Sequence, residues 1–247
     1  MITDIKGLHH VTTMAKDANR NNAFFTDALG LRRVKKTVNF DEPSVYHLYY
    51  GDEAGTPGSV MTYFPFPNIA RGRPGTGEVG ETGFSVPEGS LPFWKERLGG
   101  KGVSGLAEDT RFGERRLRFV APDGDHFALV ETGDDPRPAW TGGSVKEDEA
   151  IRGFTGATLR LGDAGATEEL LKFMGYERVD NRDDVIRYAI AGGNRASIID
   201  LETVPAMPRA TLGAGSARAR CTMSPSRFPI APPSLRCAAS SWIPAIR

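Results

Sequence analysis

One order of elements, a strand, a helix and then further strands, recurs along these 247 residues. The first copy opens with "IKGLHHVTTM" (residues 5 to 14), whose β-branched and alternating residues predict a strand. Asp17 stands as an N-cap before "ANRNNAFFTDAL", where Phe24, Phe25, Ala28 and Leu29 gather on one side at helical spacing, and Gly30 is placed to end the helix. Three strands follow, "RRVKKTVNF", "SVYHLYYG" and "SVMTYFPF", each bounded by Asp, Glu, Pro or Gly. The order returns as "ETGFSV", the helix "SLPFWKERLGG", "RRLRFVAP" and "HFALVE". It returns again as "FTGATLRL", "GATEELLKFMG", "YERVDN", "VIRYAI" and "RASIIDL". A spacing of roughly 70 residues is longer than a solenoid repeat. A single copy leaves one sheet face uncovered, so copies should pair, giving an α+β fold of repeated β-α-β-β-β units.

The expected organisation is a first unit over residues 1–68, a linker over 69–80, a second unit over 81–135, a linker over 136–151, a third unit over 152–202 and an irregular tail over 203–247. Gly75, Gly77 and Gly80 in the first linker have G-x-G-x-x-G spacing. A dinucleotide site needs that motif to open a helix, and a strand follows here, so the stretch reads as a mobile linker.

Thirty-one Lys and Arg balance thirty-one Asp and Glu, which favours neither a nucleic acid nor an acidic membrane surface as partner. No apolar run approaches the roughly 20 residues of a membrane span, and "MITDIKG" lacks the layout of a secretory signal. The expected setting is cytoplasmic. Both cysteines, Cys221 and Cys237, fall in the last 27 residues, so the first 220 hold no thiol for disulfide, zinc-thiolate or redox chemistry.

Of four histidines, His9 and His10 are adjacent on the first strand. Alternation would send them to opposite faces, so one imidazole could bind a metal while its neighbour supports the site without binding it. His47, among aromatics, and His126, after the turn "PDGD", read as core or surface residues.

The strings "VKKTVNFD", "YHLYYGDEAGTPG", "TRFGERRLRF" and "SIIDL", with a His on the first strand of the first unit, resemble the ring-cleaving dioxygenases of the vicinal oxygen chelate superfamily, in the branch that opens hydroquinone-type rings. The resemblance covers residues 1 to about 216. It implies four units in two pairs, with iron, Fe(II), held by two His and one Glu and open positions left for a small aromatic substrate and dioxygen. It also implies that His10 is an iron ligand and that His9 is a catalytic group beside the substrate. The other His, the Glu, and a Tyr and an Arg near the substrate belong to a fourth unit that cannot be read in this chain. Ala128 takes the place where superfamily members often carry a ligand Glu, Thr155 stands where a His could, and Asp200 receives no ligand role. The iron site is therefore expected to be incomplete and activity impaired or absent.

After Glu202 there is no acidic residue, while six arginines and seven prolines fall in 45 positions. The fourth unit should begin at about residue 217 with its own His doublet, where the chain reads "ARARCTMSPSRFP". If Cys221 is TGC, Thr222 ACC and Ser224 TCN, regrouping from the third base of Cys221 spells His-His-Val, the tripeptide of residues 9 to 11. The expectation is a frameshift between about Ser216 and Cys221; the plainer alternative is a disordered basic tail.

Two other functions compete with the dioxygenase. One is a metal-free binding protein whose Tyr46, Tyr49, Tyr63 and Phe64 cup a small ligand; the other is a glyoxalase-like isomerase. A third outcome is a broken copy, whose first unit lacks its partner and exposes a sheet face. A homo-oligomer is compatible with each.

Overall fold

The computed structural model describes residues 5–211, 213–215 and 218–223. The first copy of the repeated order is β1 (Ile5–Ala15), α1 (Ala18–Ala23) continued by a π-helical turn (Phe24–Ala28), β2 (Arg32–Val38), β3 (Tyr46–Gly51) and β4 (Val60–Pro65). Next come β5 (Glu78–Val86), α2 (Leu91–Gly100), β6 (Ser104–Arg111), β7 (Glu114–Val120) and β8 (His126–Glu131). The third stretch is β9 (Gly153–Leu161), α3 (Gly165–Phe173), β10 (Glu177–Arg182), β11 (Val185–Ala189) and β12 (Ile198–Thr203), and β13 (Arg218–Met223) follows. The arrangement is the expected α+β fold. Among the described residues no helix is long and apolar enough to cross a membrane.

Two sheets carry these strands. β5 and β9 meet antiparallel with Gly83 opposite Gly156, joining the second and third copies into an eight-stranded sheet ordered β10-β11-β12-β9-β5-β8-β7-β6. The first copy forms a five-stranded sheet ordered β13-β1-β4-β3-β2. β1 lies between parallel β4 and antiparallel β13. The residues expected to be an irregular tail thus contain a strand. Its physical reason is the edge of β1, whose row of backbone N–H and C=O groups is satisfied by a segment laid alongside.

The local signals act as their chemistry demands. The Asp17 carboxylate accepts from the N–H groups of Asn19 and Arg20, both at 2.8 Å, which caps two of the orphan donors of α1. Gly30 leaves the helical stretch at φ 69°, where a Cβ would strike Val145. Between them the π turn keeps Phe24 and Phe25 both in the core. Phe25 stacks on Tyr50 at 4.8 Å and touches Tyr63 and Phe127, so one aromatic cluster is shared by both sheets.

The first linker, read from sequence as mobile, is held by main-chain bonds. Its residues pair with the stretch after β12, Arg71 with Ala214, Arg73 with Thr211 and Thr76 with Arg209. Gly75 is the close-approach point, because a Cβ there would lie 2.4–2.6 Å from backbone atoms of residues 208–210. The glycine pattern thus serves chain packing, and its last glycine lies within β5 rather than before it.

Candidate active site

The two faces of the first sheet are chemically distinct. Val11, Thr13, Leu48, Tyr50, Met61 and Tyr63 point to the helical side, and all are buried. The other face follows from register and contact. Thr12 and Thr62 join hydroxyls at 2.9 Å across β1 and β4. Two residues before Thr12, His10 lies opposite Val60, and Tyr49 on β3 lies opposite Thr62. His47 stacks on Phe64 at 4.0 Å and 30°. His10, Thr12, Thr62, Tyr49, His47 and Phe64 therefore share one face.

Of the four aromatics expected to line a cup, Tyr49 and Phe64 lie on this face. Tyr63 is on the core side and Tyr46 shares the register of Leu48 and Tyr50 at the sheet margin. His47, read from sequence as core or surface, belongs to this face as well. Strand alternation counted from His10 is the signal that finds it.

His9 and His10 do not divide between faces as simple alternation requires. The pairing of β1 with β13 shifts register between Leu8 and His10, a bulge that leaves His9 as the extra residue and turns successive side chains toward one another. The two imidazoles lie edge to face at 84°, with Nδ1 atoms 3.0 Å apart, and both are half-buried. At that separation one Nδ1 carries the proton and the other accepts, so at least one ring is neutral. The accepting ring carries its hydrogen on Nε2, whereas a donor ring that is also neutral presents Nε2 as a lone pair, the form in which imidazole binds a metal. Gly7, two residues before His9, has φ 123°, and a Cβ there would fall 2.6 Å from the Ala196 carbonyl oxygen.

Among the described residues no three His, Cys, Asp or Glu groups converge on a common point. Thr12, Val60 and Thr62, the neighbours of His10 by register, carry no carboxylate. These residues supply one imidazole, so by themselves they do not fit a complete iron site.

The matching face of the eight-stranded sheet is closed by charge. Arg116 donates to Glu81 at 2.8 Å and to both carboxylate oxygens of Asp109 at 2.8 and 2.7 Å. Arg187 forks onto Asp200 at 2.8 and 3.0 Å and reaches Glu114 at 2.7 Å. Arg111 lies between Glu81 and Asp200 at 3.8 and 3.7 Å. The cavity left beside them is about 20 Å³, room for about one water. Register places these groups on equivalent rungs: Gly83 and Gly156 correspond to His10, facing Ala128 and Ile198 as His10 faces Val60. Arg116 and Arg187, opposite Val130 and Asp200, correspond to Tyr49.

No family model matches the chain. MhqO of Bacillus subtilis, which carries the name of a ring-cleaving dioxygenase, is 42% identical over 211 residues, covering 85% of this chain and 67% of that protein. The chlorohydroquinone/hydroquinone 1,2-dioxygenase of Sphingobium indicum is 32% identical over 202 residues, covering 80% of this chain and 63% of that protein. The chain thus spans about two thirds of the length of the curated relatives it matches. Among solved structures, one described as a dioxygenase from Bacillus subtilis superposes with a TM-score of 0.81 at 40% identity, covering 87% of this chain and 68% of that one. Glyoxalase I from Zea mays superposes with a TM-score of 0.63 at 15% identity over 85% of this chain and 71% of that one, a likeness of fold.

Proposed function

Because the chain belongs to the family of ring-cleaving dioxygenases, we propose that it derives from an enzyme that opens hydroquinone or related phenolic rings with dioxygen. The observation that carries this reading is His10, half-buried at the head of a face that also presents hydroxyl and aromatic groups. In it His10 is one ligand of Fe(II), and the other ligands come from outside the described residues. The iron would supply Lewis-acid chemistry, with His10 the one described residue that would hold it. His9 is the proton-handling neighbour: its Nδ1 lies 3.0 Å from that of His10, so the two rings share one hydrogen between them and their tautomers are coupled.

The reading includes three β-α-β-β-β units at the boundaries given above and an out-of-frame translation beginning between about Ser216 and Cys221. The position of β13 supports it: β13 lies against β1 antiparallel, as β9 lies against β5, which is where the first strand of a fourth unit would sit. Oxygen uptake tests the proposal. With ferrous iron and hydroquinone, this chain should consume no oxygen and a frame-restored chain should consume it. Turnover by this chain would refute the inactivity, and a restored chain that stays inert would refute the dioxygenase reading. A metal-free binding role is the second reading, favoured by the aromatic pair His47 and Phe64 on the face that carries His10. Phenol binding by the restored chain that chelators leave unchanged, without turnover, would select it.

A further inference from the structure

We propose that Tyr49, positioned by His47, is the residue that recognises the second hydroxyl of a hydroquinone-type ring on the face carrying His10. The proposal rests on the phenolic-ring reading above and adds a contact that reading does not contain. The Tyr49 hydroxyl and His47 Nδ1 are 2.9 Å apart, and their rings lie 4.2 Å apart. Phe64 packs against the other side of the His47 ring at 4.0 Å, so the imidazole is clamped between two aromatic faces. Tyr49 is one strand beyond Thr62, and His10 is one strand on the other side of Thr62 and two residues along. At about 4.8 Å between strands and about 3.3 Å per residue, their Cα atoms are roughly 12 Å apart. His47 lies on the side of Tyr49 away from His10, so the Tyr49 hydroxyl is drawn back from His10 rather than across the span, and the separation of the two residues along the face is the length of one six-membered ring with a polar contact at each end.

The couple can serve either state of the bound group. When the phenol donates to His47 Nδ1, its oxygen accepts from a substrate hydroxyl; with the other imidazole tautomer, His47 donates and the Tyr49 hydroxyl can donate to a phenolate. Burial raises the pKa of Tyr49, which keeps its proton available. Lys35 places its ammonium 5.6 Å from the Tyr49 ring, favouring an anionic oxygen nearby. The other two copies give independent support. On the equivalent rung Arg116 reaches across β8 to Glu81, and Arg187 engages Asp200 on the next strand and Glu114 on β7. Where those partners are carboxylates of the protein, the partner of the Tyr49 hydroxyl is the neutral-capable His47 ring, and no carboxylate is bonded to that hydroxyl among the described residues.

The test titrates the full chain, with chelator present, against hydroquinone and against phenol, followed by NMR. Hydroquinone should bind about three- to tenfold more tightly than phenol, the worth of one added hydrogen bond. Tyr49→Phe should bring the ratio to about one with phenol affinity unchanged, His47→Ala should lower it, and His47→Gln, which still offers an acceptor, should restore part of it. A preference that survives Tyr49→Phe, or equal binding of the two ligands by the unaltered chain, overturns the role of Tyr49 while leaving the ring-binding face in place. Failure of both ligands to bind overturns this proposal and removes support for the face as the substrate site.

Discussion

Asp125 sets a pH response that lies outside the candidate site. Its carboxylate is buried where the first and second copies meet, accepting from Thr13 Oγ1 at 2.8 Å and from the Tyr63 hydroxyl at 3.1 Å. Burial pushes its pKa up to about 7, from an ordinary value near 3.8. A carboxyl whose folded pKa is raised costs stability as pH climbs, because the unfolded chain releases the proton first. The penalty is absent below about pH 4, grows through about pH 7 and is on the order of 4 kcal/mol when complete. Asp125→Asn should therefore gain on the unaltered chain as pH rises from 5 to 8 in urea unfolding, and a gap that stays constant would rule this out. Backbone geometry makes a second prediction at this scale. Gly7→Ala should cost about 1–3 kcal/mol, measured by thermal melting, since φ 123° and the Ala196 carbonyl both oppose a side chain. The strand and its histidines were legible in the sequence, as was the Asp17 cap. The bulge at His9 was not, because alternation counts residues along one strand, whereas the extra residue is defined by pairing with β13 more than 200 positions away.

At the scale of elements, the eight-stranded sheet is pinned by ion pairs whose carboxylates and guanidinia are mostly out of water. Removing one partner of such a pair leaves the other charge buried, so Arg187→Met should destabilise by about 3–5 kcal/mol. Lys95→Met, which breaks an exposed pair with Glu108, should leave the midpoint of the same chemical denaturation nearly unchanged. Sequence hides this contrast, since "AEDTRFGERRLRF" looks like any solvated hairpin until the fold lays Arg116 against Glu81. A fainter signal was available. "GLHHVT", "GETGFS" and "GFTGAT" begin at residues 7, 80 and 153, and the last residues of their central pairs, His10, Gly83 and Gly156, occupy equivalent rungs. Aligning the three stretches marks the equivalence of the first strands only; that Tyr49, Arg116 and Arg187 share a position needs the strand pairings, because they lie 39, 33 and 31 residues beyond His10, Gly83 and Gly156.

Across the whole molecule the two sheets are unequal. The second and third copies complete each other through β5 and β9, whereas among the described residues the first copy has β13 alone on its β1 side. The far side of that sheet also carries exposed apolar groups, with Phe40 96% and Val38 47% accessible. Edges and faces of this kind promote association, so the chain should form larger species with rising concentration in size-exclusion chromatography, and restoring the frame should suppress them. The same asymmetry has a consequence for synthesis. β1 leaves the ribosome about 200 residues before β13, and at about 5–20 residues per second that separation amounts to a wait of roughly 10–40 s. During that interval β5 through β12 can pair fully, while the strand bearing His9 and His10 stays open on one side and within reach of holding factors or of another nascent chain.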